Sequence, residues 1–271
     1  TLTLDASIQS FVEQAAREAI SVNRAKAVRI LVMNPKTGEI LAMCSKPDFD
    51  LNSPPRDDVD ALNELLRNRV LTDAYEPGST FKIVTTSSAL DAGVTHVGDR
   101  FYCSGSVVVD GSRIHCWDSA HGAEDLAEGL QNSCNPVFVE LALRLGIERF
   151  YHYMEAFGLG MVSGVDISGE GTGILIDETR VKRVDIARIG FGQPLVEPSV
   201  HLGHRLAAGL ARGGEVRARG LQAAAGRHQL VERGLVGGQL VARLLDEALL
   251  LRAAGQRAER HGRQVLGPNR K

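Results

Sequence analysis

The chain has 271 residues, 44% hydrophobic and 24% charged, with a formal net charge of −2. That is a globular composition, long enough for one large domain or two small ones around a sizeable core. No apolar run approaches the roughly 20 residues that span a bilayer, and the opening TLTLDASIQSFVEQ lacks the shape of a signal peptide. The chain by itself is therefore expected to be soluble, with any anchor lying upstream in a longer parent.

In chain order, LTLDASIQSFVEQAAREAI predicts an amphipathic helix capped by Asp5, with Ile8, Phe11, Val12, Ala15, Ala16, Ala19 and Ile20 on one stripe. AVRILVMNPKTGEILAMCS predicts two strands joined by a Pro-Lys-Thr-Gly turn. SKPDFDLNSPPRDD is a loop, and DALNELLRNRVLTDAY a short helix. Pro77-Gly78 breaks the chain, and a helix carrying Ser79 and Lys82 runs on to about Ala92. CSGSVVVDGSRIHCW predicts a second hairpin around Asp110-Gly111. AEDLAEGLQNSCNPVFVELALRLG predicts two helical segments interrupted near Ser133 to Pro136. Gly-rich turns follow, then a short helix over Arg180 to Ile189.

After Phe191 the character changes. Residues 192–271 contain no Phe, Tyr, Trp, Ile, Thr, Met or Cys and are built largely from Leu, Ala, Gly, Arg, Val, Gln and Glu. Charge follows the same divide: residues 1–200 carry a balance of −10 and residues 201–271 a balance of +8. GQLVARLLDEALLLRAAG has a helical period, so a surface helix is one reading; a GC-rich gene read out of frame yields the same composition. The basic tail is thus read as a compositional bias and not as a nucleic-acid footprint. The division expected is 1–193 and an atypical segment over 194–271.

Three short patterns carry little information alone. Ser-x-x-Lys at Ser79 to Lys82 recurs by chance, SVN at Ser21 to Asn23 sits at a helix end, and KTG at Lys36 to Gly38 is a hairpin turn. Context separates the first. Pro-Gly places Ser79 at a helix N-terminus, where free backbone N–H groups and the positive dipole end favour charge developing on an acyl oxygen. Lys82 lies one turn on, on the same face. If that face is buried, a neutral amine can take the serine's proton; otherwise Ser79 is a cap and Lys82 a solvated cation. Ser133 and Asn135 come 54 residues after Ser79. An i, i+2 pair in a helix break can aim both side chains into one cleft, for proton transfer and for holding a peptide amide, or Asn135 simply caps the helix before Pro136.

Taken together, TLTLDASIQ, NPKTGEILAMCSKPDFDLN, YEPGSTFK, HCWDSAHG, NSCNPVFVELALRLG, FGLG, GVDISGEGTG and IGFGQ, in that order over residues 1 to about 193, resemble the transpeptidase domain of class B penicillin-binding proteins. The similarity is strongest to the stage V, D type sporulation group. The resemblance implies an α+β fold of the serine β-lactamase/transpeptidase type, an antiparallel sheet flanked by helices beside a helical lobe, with the nucleophile between them. It implies acyl-serine transfer on the D-Ala-D-Ala stem peptides of peptidoglycan, and reaction with β-lactams. Ser79 is then the nucleophile, Lys82 its base, and Ser133 and Asn135 the second motif. No metal or organic cofactor is implied. The working place is the outer face of the cell membrane, and a glycosyltransferase of wall synthesis is the expected partner of a full-length parent.

One departure is plain. The family's third motif, Lys-Thr/Ser-Gly on a strand, does not occur after Asn135, and the KTG at 36–38 precedes the nucleophile. In the family that strand supplies an oxyanion N–H and binds the substrate's terminal carboxylate. The C-terminal strands are therefore expected to be absent or abnormal, and residues 194–271 not to complete the site. STFK also surrounds the nucleophile of class D β-lactamases and penicillin-sensing domains, so a hydrolase or sensor is the alternative, although LTLDASIQ and SCNPVF argue against it. A non-catalytic wall-peptide binding remnant is the third reading.

The four cysteines, Cys44, Cys103, Cys116 and Cys134, fit no zinc spacing well; Cys116 with His115 and His121 is the nearest approach. Outside the cytosol a disulfide is the more natural use. Cys134 lies inside the second motif, and a bond to Cys116 would clamp it out of shape, so the pair is expected to be redox-sensitive; the plainer reading is small buried thiols.

Overall fold

The computed structural model describes residues 2–34, 37–201 and 203. Pro35 and Lys36 of the first turn, and the atypical segment apart from residues 194–201 and 203, lie outside the described residues.

Helix α1 (Ala6–Asn23) starts where Asp5 accepts hydrogen bonds from the backbone N–H groups of Ser7 and Ile8, as the sequence predicts. It lays Val12 and Ala16 on an antiparallel hairpin of β1 (Val28–Met33) and β2 (Ile40–Lys46), where Val32, Ala42 and Cys44 complete a small core. Phe11, expected on the buried stripe, is exposed, because the hairpin covers only a narrow arc of the helix. The single helix expected over residues 60–75 is two, α2 (Val59–Leu66) and α3 (Arg69–Thr72). Asn68 divides them by accepting from the Val70 N–H at 3.2 Å, which starts a fresh helix.

The larger core surrounds α6 (Asn135–Leu145), which buries Val137, Phe138, Val139, Leu141, Ala142 and Leu145. A helix apolar on so much of its circumference must be enclosed. Around it stand α4 (Lys82–Asp91), α5 (Leu126–Gln131), α7 (Ile147–Ala156) and α8 (Arg183–Ile189). Phe81, Val84, Phe150, Met154, Ile186 and Ile189 pack into the same cluster. Each large side chain withdrawn from water contributes about 1.5–3 kcal/mol. Helix α7 is not anticipated by the sequence reading, since its aromatic-rich stretch has modest helix propensity and is ordered by burying Phe150, Tyr151 and Met154.

One side of this core is built by two nested antiparallel pairs. The inner hairpin, β5 (Ser106–Val109) and β6 (Ser112–His115), turns at Asp110 and Gly111, whose φ values of 46° and 79° suit a tight two-residue turn. The outer pair, β4 (Arg100–Cys103) and β7 (Gly122–Asp125), aligns Cys103 with Gly122. The inner hairpin follows from the Asp-Gly turn, whereas the outer pair joins segments too far apart in sequence to signal each other. The architecture is α+β, and the described strands form four two-stranded antiparallel pairs.

The fourth pair, β3 (Ala74–Tyr75) with β8 (Glu197–Pro198), continues the packed body past Gln193. Leu195, Glu197, Val200 and His201 are all buried. The imidazole of His201 lies 3.1 Å from Glu197 through Nδ1 and 2.9 Å from Glu170 through Nε2. Glu170 in turn accepts from the backbone of Ser163 and Gly164, and Glu197 from Gly160. Removing one partner of such a buried pair costs roughly 3–5 kcal/mol. His201→Ala is accordingly expected to lower the urea midpoint by that free energy with an unchanged slope; a midpoint like that of the parent chain would show that the network contributes nothing.

Candidate active site

Ser79 sits in a single 3₁₀ turn, Gly78–Phe81, that runs directly into α4. The turn is shaped by close backbone contact. Gly192, at φ 86°, lies so near that a Cβ there would stand 2.1 Å from the Gly78 carbonyl oxygen. The Gly78 N–H donates to the Gly192 carbonyl at 3.3 Å, and Thr85 Oγ1 donates to the Gly190 carbonyl at 2.8 Å. The IGFGQ stretch is therefore the backbone shelf against which the serine turn rests.

Ser79 is exposed, while Lys82, one turn on, is almost wholly buried at 1% exposure. The lysine's Nζ is 2.6 Å from the Ser133 carbonyl oxygen, 2.9 Å from Ser133 Oγ and 2.8 Å from Asn135 Oδ1. Three acceptors match the three N–H donors of an ammonium. Its charge also lies 5.1 Å from the centre of the Phe138 ring. No carboxylate forms an ion pair with it among the described residues. Burial lowers the amine from its ordinary value to about 8, against an opposing pull from the sulfurs of Cys116 and Cys134.

Ser133 Oγ is 3.0 Å from Ser79 Oγ. The contact between Ser79 and Lys82 thus runs through Ser133, in the order Ser79 Oγ, Ser133 Oγ, Lys82 Nζ. Both hydroxyls can reverse their donor sense. With the amine charged, Lys82 donates to Ser133 and Ser133 to Ser79; with it neutral, Ser79 donates to Ser133 and Ser133 to Lys82.

The second motif occupies the break between α5 and α6 that the sequence predicts. Ser133 has φ 51°, an uncommon left-handed conformation for a serine, and its N–H and that of Cys134 close the end of α5 on Leu130 and Gly129. Such a conformation is held from outside. Trp117 Nε1 donates to the Asn132 carbonyl at 2.8 Å, and Asn132 Nδ2 donates to Glu124 at 2.8 Å. Asn135 Nδ2 donates to the His115 carbonyl at 3.1 Å, leaving its amide oxygen turned to Lys82. The fold therefore brings together all four expected residues, Ser79, Lys82, Ser133 and Asn135. Sequence reasoning gave no part to Trp117, Asn132, Glu124, Phe138 or Gly192. Trp117, the chain's single tryptophan, is 59% exposed beside this motif, and that solitary indole was the available signal.

Cys116 and Cys134 are both free and buried. They share a cluster with Cys103 and His121, not with the His115 side chain. His115 turns its side chain outward and offers the site only its carbonyl.

Comparison with known proteins places this geometry. The profile of the penicillin binding protein transpeptidase domain matches residues 28–218. The chain is 43% identical over 194 residues to stage V sporulation protein D of Bacillus subtilis, covering 71% of this chain and 30% of that protein. It is 32% identical over 198 residues to the probable peptidoglycan D,D-transpeptidase PenA of Neisseria gonorrhoeae, covering 72% of this chain and 32% of that one. The chain thus spans about a third of the length of these curated relatives. Among solved structures it is similar to penicillin binding protein 3 from Mycobacterium tuberculosis complexed with aztreonam, with a TM-score of 0.71 and 29% identity over 78% of this chain and 46% of that one. With a domain profile covering well over half its length, the chain belongs to the penicillin-binding protein transpeptidase family.

Proposed function

We propose that this chain carries the serine half of a peptidoglycan D,D-transpeptidase site, with Ser79 as the nucleophile. The observation that supports this most directly is the hydrogen-bonded line from Ser79 through Ser133 to a buried amine that has no carboxylate partner among the described residues. In the neutral-amine state, the Ser79 proton passes to Ser133 Oγ as the Ser133 proton passes to Lys82 Nζ. Ser79 Oγ then bonds to the carbonyl carbon of the penultimate D-Ala, and charge builds on its oxygen at the N-terminal end of α4. The terminal D-Ala departs as an amine after taking a proton back along the same line. A second stem peptide's amine attacks the acyl-serine, forming the cross-link and freeing Ser79. A β-lactam enters by the same first step, its ring opening in place of D-Ala departure. Asn135 is suited to hold the substrate amide beside this line. The work belongs to cell-wall or spore-cortex synthesis on the outer face of the membrane. There a full-length parent depends on a glycosyltransferase reaction to supply the strands it joins.

No Lys-Thr/Ser-Gly sequence follows Asn135 in this chain, and that lack sets the rate. Loss of a single oxyanion donor slows turnover about a hundred- to thousandfold. A fluorescent penicillin is therefore expected to acylate Ser79 more slowly, by about that factor, than in a relative that has the strand. Intact-protein mass spectrometry reads the rate, and peptide mapping the position. Ser79→Ala abolishes labelling. Ser133→Ala, which cuts the relay but keeps the amine, slows it by at least about a hundredfold. Labelling of the Ser79→Ala chain would overturn the nucleophile assignment, and rapid stoichiometric labelling of the parent chain would show that residues after 193 complete the site. Nitrocefin should not be turned over; steady hydrolysis would favour the β-lactamase alternative.

The pH dependence has a definite sign. With the amine at about 8, roughly a tenth of it is neutral at pH 7. The acylation rate should rise about tenfold per pH unit below 7 and level off above about 8. A flat profile across that window would remove Lys82 from the base role.

A further inference from the structure

We propose that Cys103, Cys116, His121 and Cys134 form a tetrahedral zinc site that anchors the loop carrying Ser133 and Asn135. One ligand atom from each residue lies within 4.8 Å of the other three. Cys116 Sγ is 3.7 Å from His121 Nδ1. A zinc ion with Zn–S near 2.3 Å and Zn–N near 2.0 Å requires a sulfur–nitrogen edge of about 3.6 Å and sulfur–sulfur edges of about 3.8 Å. The cluster is within a side-chain adjustment of that tetrahedron.

The fold explains how ligands so irregularly spaced in sequence converge. Cys103 ends β4, His121 immediately precedes β7, Cys116 follows β6, and Cys134 caps the start of α6. The nested strand pairs bring the first three to one corner, and α6 sets the fourth against it. Cys103 and Cys134 are fully buried, Cys116 is 8% exposed, and the His121 side chain 14%.

Glu124, 2% exposed, borders the cluster, with one carboxylate oxygen on Asn132 and the other, Oε1, 3.9 Å from His121 Nδ1. Three thiolates and one imidazole in tetrahedral array select zinc over the oxygen-seeking divalent ions. A Cys116–Cys134 disulfide would instead use only two of the four converging groups.

The functional consequence lies on the peptide bonds either side of Cys134. A ligand fixed between Ser133 and Asn135 restrains both side chains and helps keep Ser133 in its left-handed conformation. Metal content makes this testable without reference to acylation, so failure here leaves the serine chemistry standing. The full chain, purified under reducing conditions with zinc and then dialysed, should hold one zinc per molecule by elemental analysis. Cobalt exchange should give the thiolate charge-transfer band and intense visible bands of a tetrahedral, sulfur-rich site. Stripping the metal with a chelator should lower the melting temperature, and zinc should restore it. Cys103→Ser and His121→Ala should bind less than a tenth of the parent's metal, and Cys44→Ser, outside the cluster, should bind normally. Folded parent chain that carries no zinc, or that carries a Cys116–Cys134 disulfide under these conditions, would overturn the proposal.

Discussion

An amine withdrawn from water, with no carboxylate among the described residues to balance it, is the constraint around which this domain is arranged. Lys82 has exchanged its hydration shell for one carbonyl, one hydroxyl and one amide oxygen, supplied by only two residues, Ser133 and Asn135. A carboxylate in their place would keep the amine permanently charged and useless as a base. Neutral acceptors hold it in position while leaving the charged and neutral forms close in free energy. The density of α6 beneath it, with Phe138 under the ammonium, makes that desolvation possible.

The position of Ser79 depends on a different kind of contact. Its turn is pressed against Gly192 at a distance no side chain would tolerate, so the serine is located by backbone on backbone. The second motif, by contrast, is suspended. Ser133 adopts an unfavourable φ at the end of a short helix and is held there by Trp117, by Glu124 through Asn132, and by the burial of Cys134. A firmly seated serine turn faces a loop whose geometry depends on what supports it from behind, and the nested strand pairs stand in that supporting position. A metal at the cysteine corner would complete the support.

These parts are all supplied by segments before Gln193, which is why Ser79, Ser133, Lys82 and Asn135 are assembled although no Lys-Thr/Ser-Gly sequence follows Asn135. On the proposed function, one part of an acyl-transfer site activates the attacking hydroxyl and the other receives the charge that develops. The described residues supply the groups proposed for the first, and the last described strand pair, β3 with β8, closes a buried Glu-His-Glu network instead of extending the site.

The sequence by itself determined what is local or motif-bound. Asp5 announced α1, Asp110-Gly111 announced the inner hairpin, Pro136 marked the break before α6, and the ordered motifs named the family and the four residues of the candidate site. Tertiary structure alone decided what depends on chain segments distant in sequence. The β4–β7 pairing, the passage of the relay through Ser133, the backbone shelf at Gly192 and the convergence of three cysteines on His121 carry no periodic or spacing signal. Each arises because burying α6 on nearly every side forces those segments together, and burial is a property of the whole chain that no window of residues contains.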